Sequence, residues 1–250
     1  MSGINLHRRY GQVLLNNRGI AIREADTLGL GAGSHVLEIG PGTGILTQVL
    51  LERGLKVTAV EADHNMYDEI RWKFQKFVES GQLVPVKQDF LEFQAGEYDG
   101  IIGNIPYHIT SQIVFRLPEF RFRRAVIMVQ REFAERMVAA PGSRDYSRLS
   151  VSVALRFNAR IEKIVARKYF RPVPKVDSAI VSLQPRETPV DMAAVEKVIQ
   201  RAFSMRRKKL GNIFEGCPQE YAELRPDQIS PEAFLDLASR LTGLSPRGHP

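Results

Sequence analysis

A chain of 250 residues with 44% hydrophobic residues is long enough for one good-sized domain with its own core, or for a domain with a small appendage. No apolar run approaches the ~20 residues of a membrane-spanning helix, the first ten residues are polar and basic, and the single Cys217 excludes an internal disulfide; a protein of a reducing cytoplasm is expected. The net charge of +7 is regional: Arg121 to Lys175 holds 14 Lys/Arg against 4 Asp/Glu, a surplus of +10 that leaves the remaining residues at −3, and a field of that sign favours a polyanion such as nucleic acid over a merely solvated basic surface.

Residues 17–28 read as an amphipathic helix leading into a first strand, His35 to Ile39. After the loop Gly40-Pro41-Gly42-Thr43-Gly44 come a helix over Ile45 to Arg53, a strand Val57 to Val60 and a longer helix from about Met66 to Glu79. Leu83 to Val86 and Asp99 to Gly103 are short apolar strands. Strands alternating with helices across short links predict a parallel sheet covered on both faces, an α/β, Rossmann-like architecture. Ala125 to Val129 continues the sheet, and Arg131 to Ala139 is helical until Pro141-Gly142 stops it. Leu149 to Phe157 alternates apolar and polar residues, the pattern of a strand. Ile161 to Ala166 and Ala179 to Leu183 flank Arg171-Pro172-Val173-Pro174 and read as a closing antiparallel pair. Beyond Pro185 only helical patterns remain, Val190 to Phe203 and Pro231 to Leu241. The expected division is a sheet domain over residues 1–186 and a small helical domain over 187–250.

Asn104-Ile105-Pro106-Tyr107 should stand just past the carboxyl end of a strand, where open parallel sheets hold ligands. The exocyclic amine of adenine is a poor nucleophile because its lone pair is delocalised into the ring. A site that offers only acceptors to its two N–H groups improves it. An Asn oxygen and a backbone carbonyl held by the following proline would do so, and Tyr107 would stack on the base. An Asn-Pro turn closed by a half-buried tyrosine is the plainer alternative.

The glycine loop reads G-x-G-x-G rather than the G-x-G-x-x-G of a dinucleotide fold, with Glu38 two residues before it. That suits a ligand without phosphate, whose amino-acid tail and ribose lie against bare backbone. Glu61 closes the next strand, placed to accept both ribose hydroxyls, and Asp89 follows the third, placed to accept from an adenine amine. Singly, each acid is as well explained as a strand end or a helix cap. Together they specify a nucleoside bearing an amino acid, S-adenosylmethionine. The five histidines show no ligand spacing, so no metal is expected.

Gly11-Gln12-Val13-Leu14-Leu15, Glu38 to Thr47, Glu61, Asp89, Asn104 to Tyr107 and Phe170 to Ser178 resemble the small-subunit ribosomal RNA adenine N6-dimethyltransferases. Val129 to Ala134 and Tyr146 to Ser150 place the resemblance nearer the archaeal and eukaryotic branch than the bacterial one, and Ala202 to Lys208 match the C-terminal domain. The resemblance implies methyl transfer from S-adenosylmethionine, with S-adenosylhomocysteine as product, to N6 of two adjacent adenosines in the 3′-terminal hairpin loop of small-subunit rRNA. It further implies that Gln12, Val13 and Leu15 line the cofactor, that Gly40 and Gly42 approach it by backbone, and that Glu61 with Ala62 and Asp89 with Phe90 hold ribose and adenine. Asn104 would bridge cofactor and target amine, and Tyr107 and Phe170 would sandwich the flipped base. It implies, too, that Leu149 to Phe157 is helical against its alternation. Residues 121–175, with Arg206, Arg207, Lys208 and Lys209, are the expected rRNA face of a monomer acting on the pre-30S-type subunit. A large-subunit rRNA methyltransferase of the resistance type, a DNA adenine methyltransferase and a non-catalytic assembly factor are the alternatives. Bacterial members carry Asn-Phe where this chain has Val13-Leu14.

Overall fold

The structure is a computed structural model that describes residues 13–187 and 192–243; Gln12 and Val190 lie outside the described residues. In chain order come β1 (Leu14–Leu15), α1 (Arg18–Leu28), β2 (His35–Ile39), α2 (Ile45–Glu52), β3 (Lys56–Glu61), α3 (His64–Lys73), α4 (Gln75–Glu79) and β4 (Leu83–Lys87). Next are β5 (Gly100–Asn104), α5 (Thr110–Arg116), β6 (Arg124–Gln130), α6 (Arg131–Met137), α7 (Arg148–Arg156), β7 (Phe157–Val165), β8 (Phe170–Arg171) and β9 (Ser178–Pro185). Helices α8 (Met192–Ser204), α9 (Gln219–Ala222) and α10 (Pro231–Thr242) complete the chain.

One sheet has the order β4-β3-β2-β5-β6-β9-β7. β4, β3, β2, β5 and β6 run parallel, and β9 pairs with β6 antiparallel. From β2 the chain steps outward to β3 and β4, then returns to lay β5 on the other side of β2. The strand order therefore reverses between β2 and β5, and the crevice at their carboxyl ends is where such sheets bind ligands. Ile39 and Asn104 are the last residues of those two strands.

Helix α1 forms because Asn17 caps it, its Oδ1 accepting from the Ile20 N–H at 3.0 Å, and Gly29 ends it in the left-handed region. Its buried face is Ile20, Ala21, Glu24, Ala25 and Leu28, an apolar stripe broken by one acid. Strand β5 can lie close to β2 because Gly103 stands opposite Ile39. A Cβ at Gly103 would fall 2.5 Å from the Ile39 carbonyl oxygen and 3.0 Å from its Cβ. Gly103→Ala is therefore expected to cost about 1–3 kcal/mol, lowering the thermal midpoint by roughly 2–4 °C per kcal/mol. A circular-dichroism melt identical to that of the parent protein would refute this tight approach.

The chain divides into two compact units, 1–131 with 160–184, and 132–159 with 185–250. The expected contiguous division at 186/187 is thus corrected: residues 132–159 belong with the C-terminal helices. In that second unit Tyr146, Val151 and Leu155 pack with Val195, Ile199, Phe234 and Leu237, and the Tyr146 hydroxyl donates to the Ile229 carbonyl at 3.0 Å. The segment that alternates like a strand is helix α7, started by Ser147, whose N–H donates to Ser150 Oγ at 3.0 Å.

Candidate active site

The loops beyond β2, β3, β4 and β5 enclose a cavity lined by Gly40, Glu61, Ala62, Asp63, Asp89, Phe90, Pro106, His108 and Ile109, among others. Six expected residues thus share one cavity: Gly40, Glu61, Ala62, Asp89, Phe90 and Pro106. Asp63 was not foreseen, although an acid one residue before a helix is a recognisable signal. It caps α3, Oδ1 accepting from the N–H groups of Asn65 at 2.9 Å and Met66 at 3.1 Å. The loop glycines divide their labour. Open space stands where a Gly40 Cβ would be, so its backbone is bare, whereas a Cβ at Gly44 would meet Phe74 at 2.5 Å and Ile70 at 2.7 Å. Gly44 serves packing.

Glu61 is 5% exposed. Its Oε2 accepts from the Gly42 N–H at 3.3 Å and its Oε1 from the Asp63 N–H at 2.9 Å. Burial pushes this carboxyl up, and those two N–H groups draw it partly back. Asp89 is exposed at the cavity, with Oδ1 accepting from the Leu91 N–H at 2.9 Å. The Phe90 ring stacks on Phe120 with centroids 5.3 Å apart. Arg116 of α5 donates to the carbonyls of Phe90 and Phe93 and lies over the Phe90 ring. Helix α5, which the sequence reading passed over, therefore clamps the loop that carries Asp89 and Phe90.

Asn104 ends β5, and the next residue is fixed on both sides: the Ile105 N–H donates to the Met128 carbonyl at 3.0 Å and its side chain is buried. Pro106 turns the chain into a short helical turn, Tyr107–Ile109, and its carbonyl accepts from the Ile109 N–H and the Thr110 hydroxyl, each at 3.2 Å. The Tyr107 hydroxyl lies 2.9 Å from Ser178 Oγ. Burial holds this phenol above its usual range, with Ser178 opposing and Asp177 adding to the rise.

Behind Asn104 the structure gathers acids. Glu24 and Glu38 are both fully buried. Both Glu24 carboxyl oxygens, Glu38 Oε2 and Asn104 Oδ1 are buried without a hydrogen-bond partner among the described residues. Burial raises Glu24 well above the carboxylate range, Glu38 adds to that, and the Asn104 side chain opposes it. Glu38 is pushed up to about 8, chiefly by burial, with Thr47 drawing it down and Glu61 raising it. The result is a buried polar cluster, with the unpartnered Thr47 hydroxyl among its members; Glu24, Glu38 and Asn104 do not themselves line the cavity.

β1 pairs antiparallel with β8, setting Leu14 opposite Arg171 and Leu15 opposite Phe170. The ladder brings together two motifs far apart in sequence. In this ladder Phe170 is 3% exposed and packed in the same core as Leu15, with Val13 against it. In the basic stretch, Arg121, Arg123 and Arg124 lie at the amino end of β6, the opposite end of the sheet from Asn104, with Arg123 on Asp99 at 2.7 Å and Arg124 on the Thr27 carbonyl at 3.0 Å. Arg148 and Arg156 belong to the second unit and pair with Glu196 at 2.7 and 2.8 Å. Residues 121–175 are divided between the two units.

The profile of the family described as Ribosomal RNA adenine dimethylase matches residues 3–241. The chain belongs to the ribosomal RNA adenine dimethylase family. Among its relatives, a ribosomal RNA small subunit methyltransferase of Arabidopsis thaliana is 40% identical over 219 residues, spanning 85% of this chain and 62% of the longer plant protein. A probable ribosomal RNA small subunit methyltransferase A of Methanosarcina acetivorans is 36% identical over 231 residues, covering 85% of each. The crystal structure of a dimethyladenosine transferase from Plasmodium falciparum superposes with a TM-score of 0.79 at 30% identity, over 90% of this chain and 95% of that one. The dimethylase family thus accounts for the sheet, the crevice at its switch point and the motifs around it.

Proposed function

We propose that the chain transfers methyl groups from S-adenosylmethionine to N6 of two adjacent adenosines in the 3′-terminal hairpin loop of small-subunit rRNA, giving N6,N6-dimethyladenosine during ribosome biogenesis in the cytoplasm. The observation that carries this reading is the cavity at the carboxyl edge of the sheet, which gathers Gly40, Glu61, Asp89 and Phe90 with Pro106, two residues after Asn104 ends β5. The small-subunit names of the relatives favour that RNA over large-subunit RNA.

The residues present fit the methyl donor. Glu61 would accept the ribose hydroxyls, Asp89 the adenine amine, with Ala62 and Phe90 alongside and the backbone of Gly40 and Gly42 against the amino-acid tail. Glu38 and Glu61, once ionised, would complement its ammonium and sulfonium charges. When bound, S-adenosylmethionine supplies an electrophilic methyl carbon on sulfur. Asn104 Oδ1 and the Ile105 carbonyl accept from the target amine, turning its lone pair out of conjugation and stabilising the charge that develops on N6. Tyr107, its hydroxyl anchored by Ser178, offers its ring to the base. A methylated, cationic amine is acidic enough to release its proton to water, so positioning takes the place of a strong base.

Among the described residues no helix is long and apolar enough to cross a membrane. Arg167, Lys168, Arg171 and Lys175 flank Phe170 in sequence and are the proposed phosphate contacts of the first unit, with Arg206 to Lys209 those of the second. Affinity for small subunits is expected to fall on the order of 100-fold between 50 and 200 mM salt; a flat profile would remove the RNA-facing role. Small subunits from a strain lacking this activity, incubated with protein and S-adenosylmethionine and mapped by mass spectrometry, should gain two adjacent dimethyladenosines. Label confined to large-subunit RNA, or none at all, overturns the reading.

A further inference from the structure

Glu24 is the one acid on the apolar face of α1, fully buried, and none of the motifs above contains it. Five polar atoms of the first unit lie buried without a hydrogen-bond partner among the described residues: both carboxyl oxygens of Glu24, Glu38 Oε2, Asn104 Oδ1 and the Thr47 hydroxyl. Glu24 interacts with both Asn104 and Glu38. Buried acceptors do not remain without donors at low cost, and the cluster has its own sources of hydrogen: the Asn104 Nδ2–H₂ group, the Thr47 hydroxyl that interacts with Glu38, and the carboxyl protons that burial retains. Which way an Asn amide faces is decided by its network, and turning Nδ2–H₂ toward Glu24 gives a buried carboxyl oxygen a donor.

We propose that Glu24 is a positioning residue for Asn104: its carboxyl carbonyl accepts from Asn104 Nδ2–H, its carboxyl O–H donates to Glu38 Oε2, and Asn104 Oδ1 is thereby turned to the methyl-accepting amine. The inference rests on the methyltransferase reading above and deepens it. The reversed amide would set Oδ1 against the Glu24 hydroxyl and present Nδ2–H₂ to the substrate, a donor facing a donor, which cannot draw the adenine lone pair out of the ring. Burial keeps Glu24 in the neutral form the arrangement needs. Neither Glu24 nor Glu38 touches the base in this account; both act through the amide.

The test uses the full chain with unmethylated small subunits. Glu24→Met replaces the carboxyl with an unbranched apolar side chain of similar length and is expected to lower kcat about 10–100-fold, while KM for subunits and the Kd for S-adenosylmethionine by calorimetry change less than about threefold. Glu24→Gln, which offers a carbonyl to Nδ2–H and an N–H to Glu38, should recover most of that loss. Where Met fails to fold, Glu24→Asp, which withdraws the carbonyl by one methylene, serves in its place with the same expected loss. In the Asn104→Ala background the Glu24 change should cost nothing further, because the group it positions is gone. Normal kcat in Glu24→Met, a Gln variant as slow as Met, or additive losses with Asn104→Ala each overturn the positioning role. Absence of methyl transfer by the parent protein would overturn the underlying reading instead, so the two failures are distinguishable.

Discussion

Asn104→Ala is expected to reduce methyl transfer by about 10²–10³-fold, the loss seen when one preorganised dipole is removed from a developing charge, while affinity for small subunits changes less than about threefold. The asymmetry follows from where the side chain stands. Asn104 is the last residue of β5, its backbone set by pairing with Met128 and by the close approach of Gly103 to Ile39. Ile105 is locked behind it by a hydrogen bond and burial. The amide is therefore held by the sheet, and its interaction with the amine strengthens only as N6 becomes positive in the transition state. In the proposed reading, the contacts that position the RNA are made elsewhere, by cations and by the Tyr107 ring. Single-turnover rates with saturating subunits, set beside equilibrium binding of the same subunits, separate the two quantities. Turnover within about threefold of the parent protein would defeat the assignment of Asn104.

How far the sequence led depends on whether a residue's neighbours are local. Gly40, Glu61, Ala62, Asp89, Phe90 and Pro106 sit at strand ends, and once a parallel sheet is expected its carboxyl edge collects them; the structure puts all six around one cavity. Glu24 escaped because its meaning lies in tertiary contact. As one acid in an apolar helical stripe it was visible, yet only the packing of α1 behind Asn104 gives it a partner. Arg116 escaped for the same reason, since α5 is short and its carbonyl partners are more than twenty residues away in sequence.

Leu149 to Phe157 shows the opposite failure. Its alternation comes from Ser150 and Ser152, polar in type but buried, with Ser150 Oγ donating to the Arg136 carbonyl at 2.6 Å and Ser152 Oγ to Glu196 at 2.9 Å. Period-two polarity is a strand signal only when the polar residues face water, and here they do not. The resemblance to a family corrected what the pattern misread. For Phe170 no neighbour was legible in the sequence alone, and the β1–β8 ladder sets it beside Leu15. Net charge misled in a third way, because a basic stretch counted along the chain runs through both ends of the sheet and through two units.

Without ligand, the protein is expected to lose thermal stability as pH rises from about 4.5 to 8, with a fall in midpoint on the order of 10 °C. Glu38 has its folded pKa raised from 4.5 to about 8, with burial first among the causes. In the unfolded chain it ionises near 4.5, so across the interval the unfolded state sheds a proton that the folded state keeps, and unfolding gains ground. The contribution is fully present below about 4.5 and gone once pH has passed through about 8. Glu24 and Glu61 are raised too and act in the same direction. Glu38→Gln should therefore flatten the slope without abolishing it, since Gln carries no titrating proton but leaves the other two acids in place. A cationic nucleoside favours the ionised forms of Glu38 and Glu61, with Glu24 staying neutral behind them, so the affinity for S-adenosylmethionine should rise over the same interval, with protons released on binding. Melting curves at half-unit pH steps, with calorimetry in two buffers of different ionisation enthalpy, test both halves. A midpoint that climbs between pH 5 and 8, or proton uptake on binding, would mean that the acids behind Asn104 are ionised in the free protein, and the electrostatic account of the pocket would fail.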